Sequence, residues 1–121
     1  MFEMYKMKKE SDIFVFGNQA EIEWVQEGIK RQILGYNHEV MIVKVWFEAG
    51  AEGYVHKHRH SQSTYIESGE FDVTINDETR RQGSGDSYYI PPHVMHGATC
   101  VQAGVLIDVF SPMREDFLKG E

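Results

Sequence analysis

The sequence predicts an all-β fold, a small barrel or sandwich of short strands. Three observations support this: apolar or alternating segments recur at near-regular spacing, turn residues separate them, and no long segment has the 3.6-residue periodicity of a helix. With 121 residues, the chain is the size of one domain. We therefore expect residues 1–121 to form a single domain around one core.

The first half of the chain contains four candidate strands. Ser11–Phe16 is the first and Gly28–Leu34 the second. Val40–Phe47 is the most apolar segment, and a single lysine interrupts it. The fourth candidate, Tyr54–His58, carries two histidines.

The second half of the chain continues the pattern of short strands. Phe71–Ile75 alternates apolar and polar residues, which predicts a half-buried strand. A hairpin turn at residues 76–77 and a second turn at residues 83–86 follow. The remaining candidates are the strands Ser87–Ile90 and Val105–Phe110 and a short helical tail, Met113–Lys119.

Composition and charge exclude several classes of function. A net charge of −7 argues against non-specific binding to nucleic acid or to anionic membranes. The single cysteine, Cys100, excludes an intramolecular disulfide and indicates a reducing compartment. The N-terminus has no apolar run typical of a secretory signal, and no segment approaches the roughly 18 apolar residues of a membrane span. We expect a cytoplasmic protein without nucleic-acid or membrane partners.

Paired histidines suggest a metal site. His56 and His58 are two residues apart, and on a β-strand such side chains share a face, where one ion can contact both. Gln62 follows four residues later, and His96 offers a third imidazole. Neutral imidazoles suit zinc, nickel, iron, copper or manganese. The alternative is a surface histidine cluster without metal, but the spacing and the bracketing glycines 50, 69 and 85 favour the metal site.

The spacing of these residues resembles the two sequence blocks of the cupin superfamily. The first block runs from Gly50 through His56-x-His58 and Gln62 to Gly69, and the second from Gly85 to His96. The resemblance implies a double-stranded β-helix (jelly-roll-like) barrel whose lumen holds one divalent transition metal, Zn, Ni, Fe or Mn. It also implies the metal ligands, which are His56, His58, Gln62 and His96.

The sequence departs from the cupin pattern at three positions. Gln62 stands where glutamate is usual, His93 where glycine is frequent, and Cys100 where asparagine is frequent. A neutral amide leaves the full +2 charge on the ion, which makes it a stronger Lewis acid toward an anionic ligand. His60 and His93 have no ligand position, and we interpret both as solvated loop histidines. The resemblance places His60 at the barrel mouth, where the alternative role is contact with the substrate.

A carboxylate interrupts the last apolar strand. Asp108 shares a strand face with Leu106 and Phe110, while Val105, Ile107 and Val109 occupy the other face. In so small a barrel the carboxylate points either into the lumen or to solvent, and parity leaves both possibilities open. Inward placement would raise its pKa by desolvation.

Four segments are similar to the KdgF-type cupins of pectin degradation. They are H-K-H-R-H-S-Q, G-D-S-Y-Y-I-P-P-H-V-M-H-G, W-V-Q-E-G-I-K-R-Q-I-L-G-Y and G-V-L-I-D-V-F-S-P-M-R-E-D-F. This resemblance implies ring opening of 4,5-unsaturated uronates to linear 5-keto-4-deoxyuronate. It places Asp108, Phe110 and Arg114 at the sugar: Asp108 to move a proton, Phe110 to exclude water or pack on the sugar, and Arg114 to bind the carboxylate.

Two other functions compete with ring opening, namely an iron-dependent cupin dioxygenase and a non-catalytic sugar-binding cupin. The pairing of Asp108 with Arg114 favours ring opening, whereas a glutamate at position 62 would have favoured the dioxygenase. Arg114 could instead be a solvated arginine that pairs with Glu115 or Asp116. The expected partners are a small anionic sugar and a second copy of the chain, since the apolar outer face of the last strand needs cover.

Overall fold

A computed structural model describes residues 9–118 and contains eight β-strands and one short 3₁₀ helix in that part of the chain. The strands are β1 Ile22–Gln26, β2 Ile29–Asn37, β3 Val40–Phe47, β4 Glu52–His56, β5 Ser61–Ile75, β6 Glu78–Gly83, β7 Ser87–Ile90 and β8 His96–Ser111, and the 3₁₀ helix is Glu115–Phe117. The all-β prediction is confirmed.

Two long strands organise the sheet. The antiparallel order is β1-β2-β3-β8-β5-β6, and β4 and β7 pair with β8 and β5 respectively. β8 pairs with β3 along its second half and with β4 along its first half, while β5 follows β8 along most of its length. Each long strand therefore pairs with different neighbours along its two halves, β8 with β4 and β3, and β5 with β7 and β6. The sheet curves around a central cavity.

The bend of the two long strands is located at a pair of glycines. The β5–β8 register shifts between Ile66 and Phe71, around Gly69. Gly69 has φ +87°, and a Cβ atom there would lie 2.6 Å from the Gly104 Cα atom. Because only glycine fits such a close backbone approach at positive φ, these two residues allow β5 and β8 to turn the corner together.

The core lies between the inner faces of β3, β5 and β8. Alternate residues of β3 are buried, as period-2 geometry requires. The buried side chains of the core cluster include Met41, Phe47, Ile66, Phe71, Leu106 and Phe110. Phe47 and Phe71 meet edge to face with 5.2 Å between ring centroids. This core fixes the strands that carry the polar side chains of the cavity.

Two predicted elements are wrong. Residues 11–16 form no strand; Ser11 instead donates its backbone N–H to the Tyr36 carbonyl at 2.8 Å. The predicted helical tail contains only the single 3₁₀ turn, and its last residue, Lys119, lies outside the described residues. The strands at residues 40–47 and 87–90 have the predicted bounds, and the turns at 76–77 and 83–86 are present. No helix within residues 9–118 has the length and apolar character needed to cross a membrane.

Candidate active site

Three histidines converge at one end of the cavity. His56 is the last residue of β4, His58 follows in the loop, and His96 begins β8. Their ring centroids are 4.5 to 5.6 Å apart, and one ring nitrogen of each lies within 4.8 Å of the others. The expectation that His56 and His58 share one strand is wrong, because β4 ends at His56. The convergence depends instead on the pairing of His56 with His96 across β4 and β8.

Backbone carbonyls orient all three imidazoles in the same way. In each ring Nδ1 lies within hydrogen-bond distance of a main-chain oxygen: His56 with Tyr54 at 2.8 Å, His58 with His60 at 3.1 Å, and His96 with Val94 at 2.9 Å. A carbonyl can only accept, so Nδ1 carries the proton and donates it. The Nε2 atom of each neutral ring is therefore a lone-pair donor suited to a metal.

The three histidines fit a divalent transition metal. His96 is 5% exposed, and its Nε2 is buried without a hydrogen-bond partner among the residues described. Burial lowers the pKa of His96 to about 4, and burial together with the Arg114 charge also lowers the pKa of His58. Both rings are thus neutral at pH 7, and a cation would satisfy the unpaired nitrogen.

Gln62 joins the histidines to a second group of polar side chains. Its Oε1 lies 3.0 Å from His58 Nε2, so two lone-pair atoms face each other, which a shared cation would stabilise. Its Nε2 donates to Thr64 Oγ1 at 3.0 Å and to Asp108 Oδ1 at 3.3 Å. The amide therefore presents its oxygen to the histidines and its nitrogen to the carboxylate.

Asp108 points into the cavity, which decides the question that strand parity left open. Its register partner on β5 is Thr64, whose hydroxyl donates to Asp108 Oδ1 at 2.6 Å. Burial raises the pKa of Asp108 to about 6, although the bonds from Thr64 and Gln62 act in the opposite direction. A carboxylate with these properties, beside an open cavity, can accept and return a proton near neutral pH.

The cavity has a volume of about 380 Å³ and is lined by both groups of polar residues. Its wall includes His56, Gln62, His96 and Asp108, and also Arg114 and Phe117 from the C-terminal segment. Arg114 pairs with Asp116 through two bonds of 2.9 and 3.0 Å, yet its side chain is only 11% exposed. Arg114 therefore forms one of the alternative ion pairs and still contributes a cation to the cavity.

Comparison with known proteins shows the family of the chain. Residues 43–110 match the family described as "Cupin domain". "Pectin degradation protein KdgF" of Dickeya dadantii (strain 3937) is 43% identical over 107 residues, which are 87% of this chain and 97% of that protein. The chain belongs to the cupin family and, within it, to the KdgF family.

Two solved structures are similar over most of this KdgF-family chain. An RmlC-like cupin from Shewanella frigidimarina NCIMB 400 is 55% identical with a TM-score of 0.89, covering 92% of this chain and 100% of the other. KdgF from Halomonas sp. is 36% identical with a TM-score of 0.84, covering 89% of this chain and 100% of the other. The jelly-roll-like cupin barrel expected from the sequence is confirmed.

Two other histidines of this cupin lie outside the cluster. The interpretation of His60 as a solvated residue is wrong: it is 5% exposed, and its Nε2 lies 3.1 Å from Glu115 Oε1. Glu115 also pairs with Arg59, so the C-terminal segment is tied to the histidine loop. His93 is exposed, as expected, and has φ +67°, a conformation that explains why glycine is frequent at this position in cupins.

Sequence reasoning did not single out Thr64, which contacts Gln62 and Asp108, or Arg31, which lines the cavity. Thr64 is 1% exposed and supports both Gln62 and Asp108. Arg31 lies on β2 and lines the cavity. The sequence did contain a signal for Arg31, because it shares a strand face with Ile29 and Ile33. Asp108 has the same relationship to Leu106 and Phe110. Thr64 has no comparable signal, since threonine is ordinary in a strand.

Proposed function

We propose that this cupin opens the ring of 4,5-unsaturated uronate monosaccharides and releases linear 5-keto-4-deoxyuronate. The observation that carries the proposal is the position of Asp108, a carboxylate held by Thr64 and Gln62 in the same cavity as three converging histidines. Membership of the KdgF family supports it, because the relative from Dickeya dadantii is named as a pectin degradation protein.

The proposed cofactor is one divalent transition metal per chain, Zn, Ni, Fe or Mn. It would be held by Nε2 of His56, His58 and His96 and by Oε1 of Gln62. When bound, it supplies a Lewis acid that stabilises negative charge developing on the substrate. All four ligands are neutral, so the protein does not reduce the +2 charge of the ion.

Asp108 is the proposed acid–base residue. The substrate is a cyclic hemiacetal whose ring oxygen is also part of an enol ether. Asp108 takes the proton of the anomeric hydroxyl, the bond between C1 and the ring oxygen breaks, and an aldehyde and an enolate remain. Protonation of C4 by the same carboxyl group then gives the ketone. Taking up and returning one proton makes the reaction an isomerisation, and it requires no other reactant.

Arg114 and Phe110 are proposed to position the sugar. The Arg114 guanidinium lies on the cavity wall and can bind the substrate carboxylate. Phe110 is 3% exposed overall and stands 5.8 Å, centroid to centroid, from the His58 ring. Its ring can exclude water from the reacting atoms or pack on the apolar face of the sugar.

Loss of ultraviolet absorbance tests the proposal. Unsaturated uronates absorb through their 4,5 double bond, and the linear ketone lacks that bond. Metal-loaded protein should remove the absorbance, and NMR should identify 5-keto-4-deoxyuronate as the product. Persistence of the absorbance with protein that carries a full equivalent of metal would refute ring opening.

We further propose a cytoplasmic homodimer in which residues 1–121 form one domain, as the sequence led us to expect.

A further inference from the structure

We propose that Arg31 and Arg114 together form a two-guanidinium binding site for the carboxylate of an acidic sugar. This inference deepens the proposed function and rests on it for the class of substrate. It assigns to Arg31 a binding role that the cupin sequence blocks do not suggest, because Arg31 precedes both of them.

Arg31 reaches the cavity from a strand distant in sequence from the other polar residues. It stands on β2, and its side chain is only 17% exposed. The neighbouring residue Lys30 points to the outer face, where its ammonium group lies 5.5 Å from the centroid of the Trp46 ring. Alternation along the strand thus separates an inward cation from an outward one.

Phe117 brings the two arginines to the same wall. The Arg31 Cζ atom lies 3.8 Å from the centroid of the Phe117 ring, and the Arg114 Cζ atom lies 4.2 Å from it. A guanidinium at the face of an aromatic ring is attracted by the ring quadrupole. Both guanidinium groups are therefore anchored by one aromatic ring in a mostly buried position.

Both guanidinium groups keep N–H groups for a ligand. Among residues 9–118, the ion pair of Arg31 uses Nε, which donates to Glu23 Oε2 at 2.7 Å. Arg114 donates Nε and Nη2 to Asp116. A guanidinium has five N–H groups, so the Nη1 and Nη2 groups of Arg31 can bind a carboxylate through two parallel bonds.

The charge of the cavity wall favours an anion. The lining residues include two arginines and a single acidic residue, Asp108, within the described part of the chain. The protein as a whole carries a net charge of −7. The carboxylates that pair with the two arginines, Glu23 and Asp116, are not among the lining residues, so both guanidinium groups can still face an anionic ligand. An anionic monosaccharide suits a cavity of about 380 Å³.

A purely structural role for Arg31 is the alternative. Its contacts with Glu23 and Phe117 could serve only to hold the C-terminal segment against the barrel. In that case replacing Arg31 would destabilise the protein, and it would affect all ligands of the cavity equally. A binding role would affect acidic ligands selectively, so ligand selectivity separates the two roles.

Calorimetric titration with saturated sugars tests the assignment without turnover. D-galacturonate lacks the 4,5 double bond and cannot be ring-opened, and D-galactose is its neutral counterpart. Metal-loaded wild-type protein should bind galacturonate more tightly than galactose. Arg31→Gln should weaken galacturonate binding by at least about tenfold and leave galactose binding unchanged, as expected for loss of hydrogen bonds to a charged group. Arg31→Lys, which keeps the charge and loses the planar fork, should give an intermediate affinity.

Lys30→Gln is the matched control, since it removes one positive charge from the outer face of the same strand. It should leave both affinities unchanged. Absence of galacturonate binding by the wild type, an equal loss for both sugars, or unchanged affinity in Arg31→Gln would overturn the assignment. If the sugars bind as expected but the unsaturated uronate is not consumed, the two-arginine site stands and the proposed reaction fails.

Discussion

The side-chain nitrogen of Gln62 lies 3.3 Å from Asp108 Oδ1, while the oxygen of the same amide faces His58. The amide has both an acceptor for the metal side and a donor for the carboxylate side, whereas an ionised carboxylate has acceptors only. A glutamate at position 62 would place a second carboxylate against Asp108, and two such groups at this distance cannot both remain ionised at low cost. The departure from the usual cupin ligand is therefore matched to the presence of Asp108.

Gln62→Glu should retain metal and lose turnover. The carboxylate is a good metal ligand, but it reduces the charge of the site from +2 to +1 and removes the donor to Asp108. We expect ring-opening activity to fall by about tenfold or more, the order of a lost hydrogen bond to a charged group. Metal analysis and the absorbance assay measure the two effects, with the exposed Gln102→Glu as the control for added charge. Full activity in metal-loaded Gln62→Glu would show that the neutral ligand is incidental.

Asp108→Asn should fold, bind metal and lose most activity. Asparagine keeps the shape of the side chain but cannot take up and return a proton, and general acid–base residues typically contribute about 10²- to 10⁴-fold. Asp72→Asn, at an exposed aspartate paired with Arg81, is the matched control and should retain activity. A kcat for Asp108→Asn within about threefold of wild type, well below that range, would remove Asp108 from the mechanism.

Thr64 should act on the reaction through Asp108. Thr64→Val keeps the volume but removes the hydroxyl that donates to Asp108 at 2.6 Å. We expect kcat to fall by about tenfold and the free energy of unfolding to fall by about 1–3 kcal/mol, the cost of an unsatisfied buried group. Thr64→Ser should restore most of the kcat, because serine supplies the same donor. If valine and serine lower kcat equally, the effect comes from packing and not from the hydroxyl.

Glu115 should make the stability of the metal-free protein depend on pH. Its own backbone N–H, then His60 and Arg59, lower the pKa of this carboxyl from 4.5 to about 2. The folded state therefore holds fewer protons than the unfolded state between these values. The stabilisation is complete above pH 4.5 and is lost as the pH falls through about 2.

Comparison of wild type with Glu115→Gln measures this effect. In chelator-treated protein the urea midpoint of the variant should lie below that of the wild type at pH 7. The difference should be smaller at pH 3 and should vanish at still lower pH. Glu78→Gln, at an exposed pair with Arg80, controls for loss of a surface charge. A difference between wild type and Glu115→Gln that does not change with pH would contradict the contacts assigned to Glu115.

The sequence predicted which histidines converge at the cavity, but not the contacts that bring them together. His56, His58 and His96 were identified from spacing, but β4 ends at His56, and their convergence depends on a strand pairing that no local pattern contains. The direction of Asp108 depends on a partner on β5, Thr64, 44 residues earlier in the chain.

Burial of His60 was unpredictable for a similar reason. Its partner, Glu115, is 55 residues away and belongs to a segment with little regular structure. Local periodicity indicates which strand face a side chain occupies, whereas only the register between strands and the path of the C-terminal segment determine what that side chain contacts.

His96→Ala should lower metal content most clearly. The unpaired, buried Nε2 of His96 is one of the three converging nitrogens, and alanine removes it. Wild type should carry about one equivalent of metal, and its melting temperature should rise when metal is added after chelation, since a ligand at about 100 times its Kd stabilises by about 2.7 kcal/mol. His96→Ala should lose most of both effects.

His93→Ala, at an exposed histidine, is the control and should keep both effects. Elemental analysis and thermal unfolding with and without chelator measure both quantities, and a full equivalent of metal in His96→Ala would exclude His96 as a ligand.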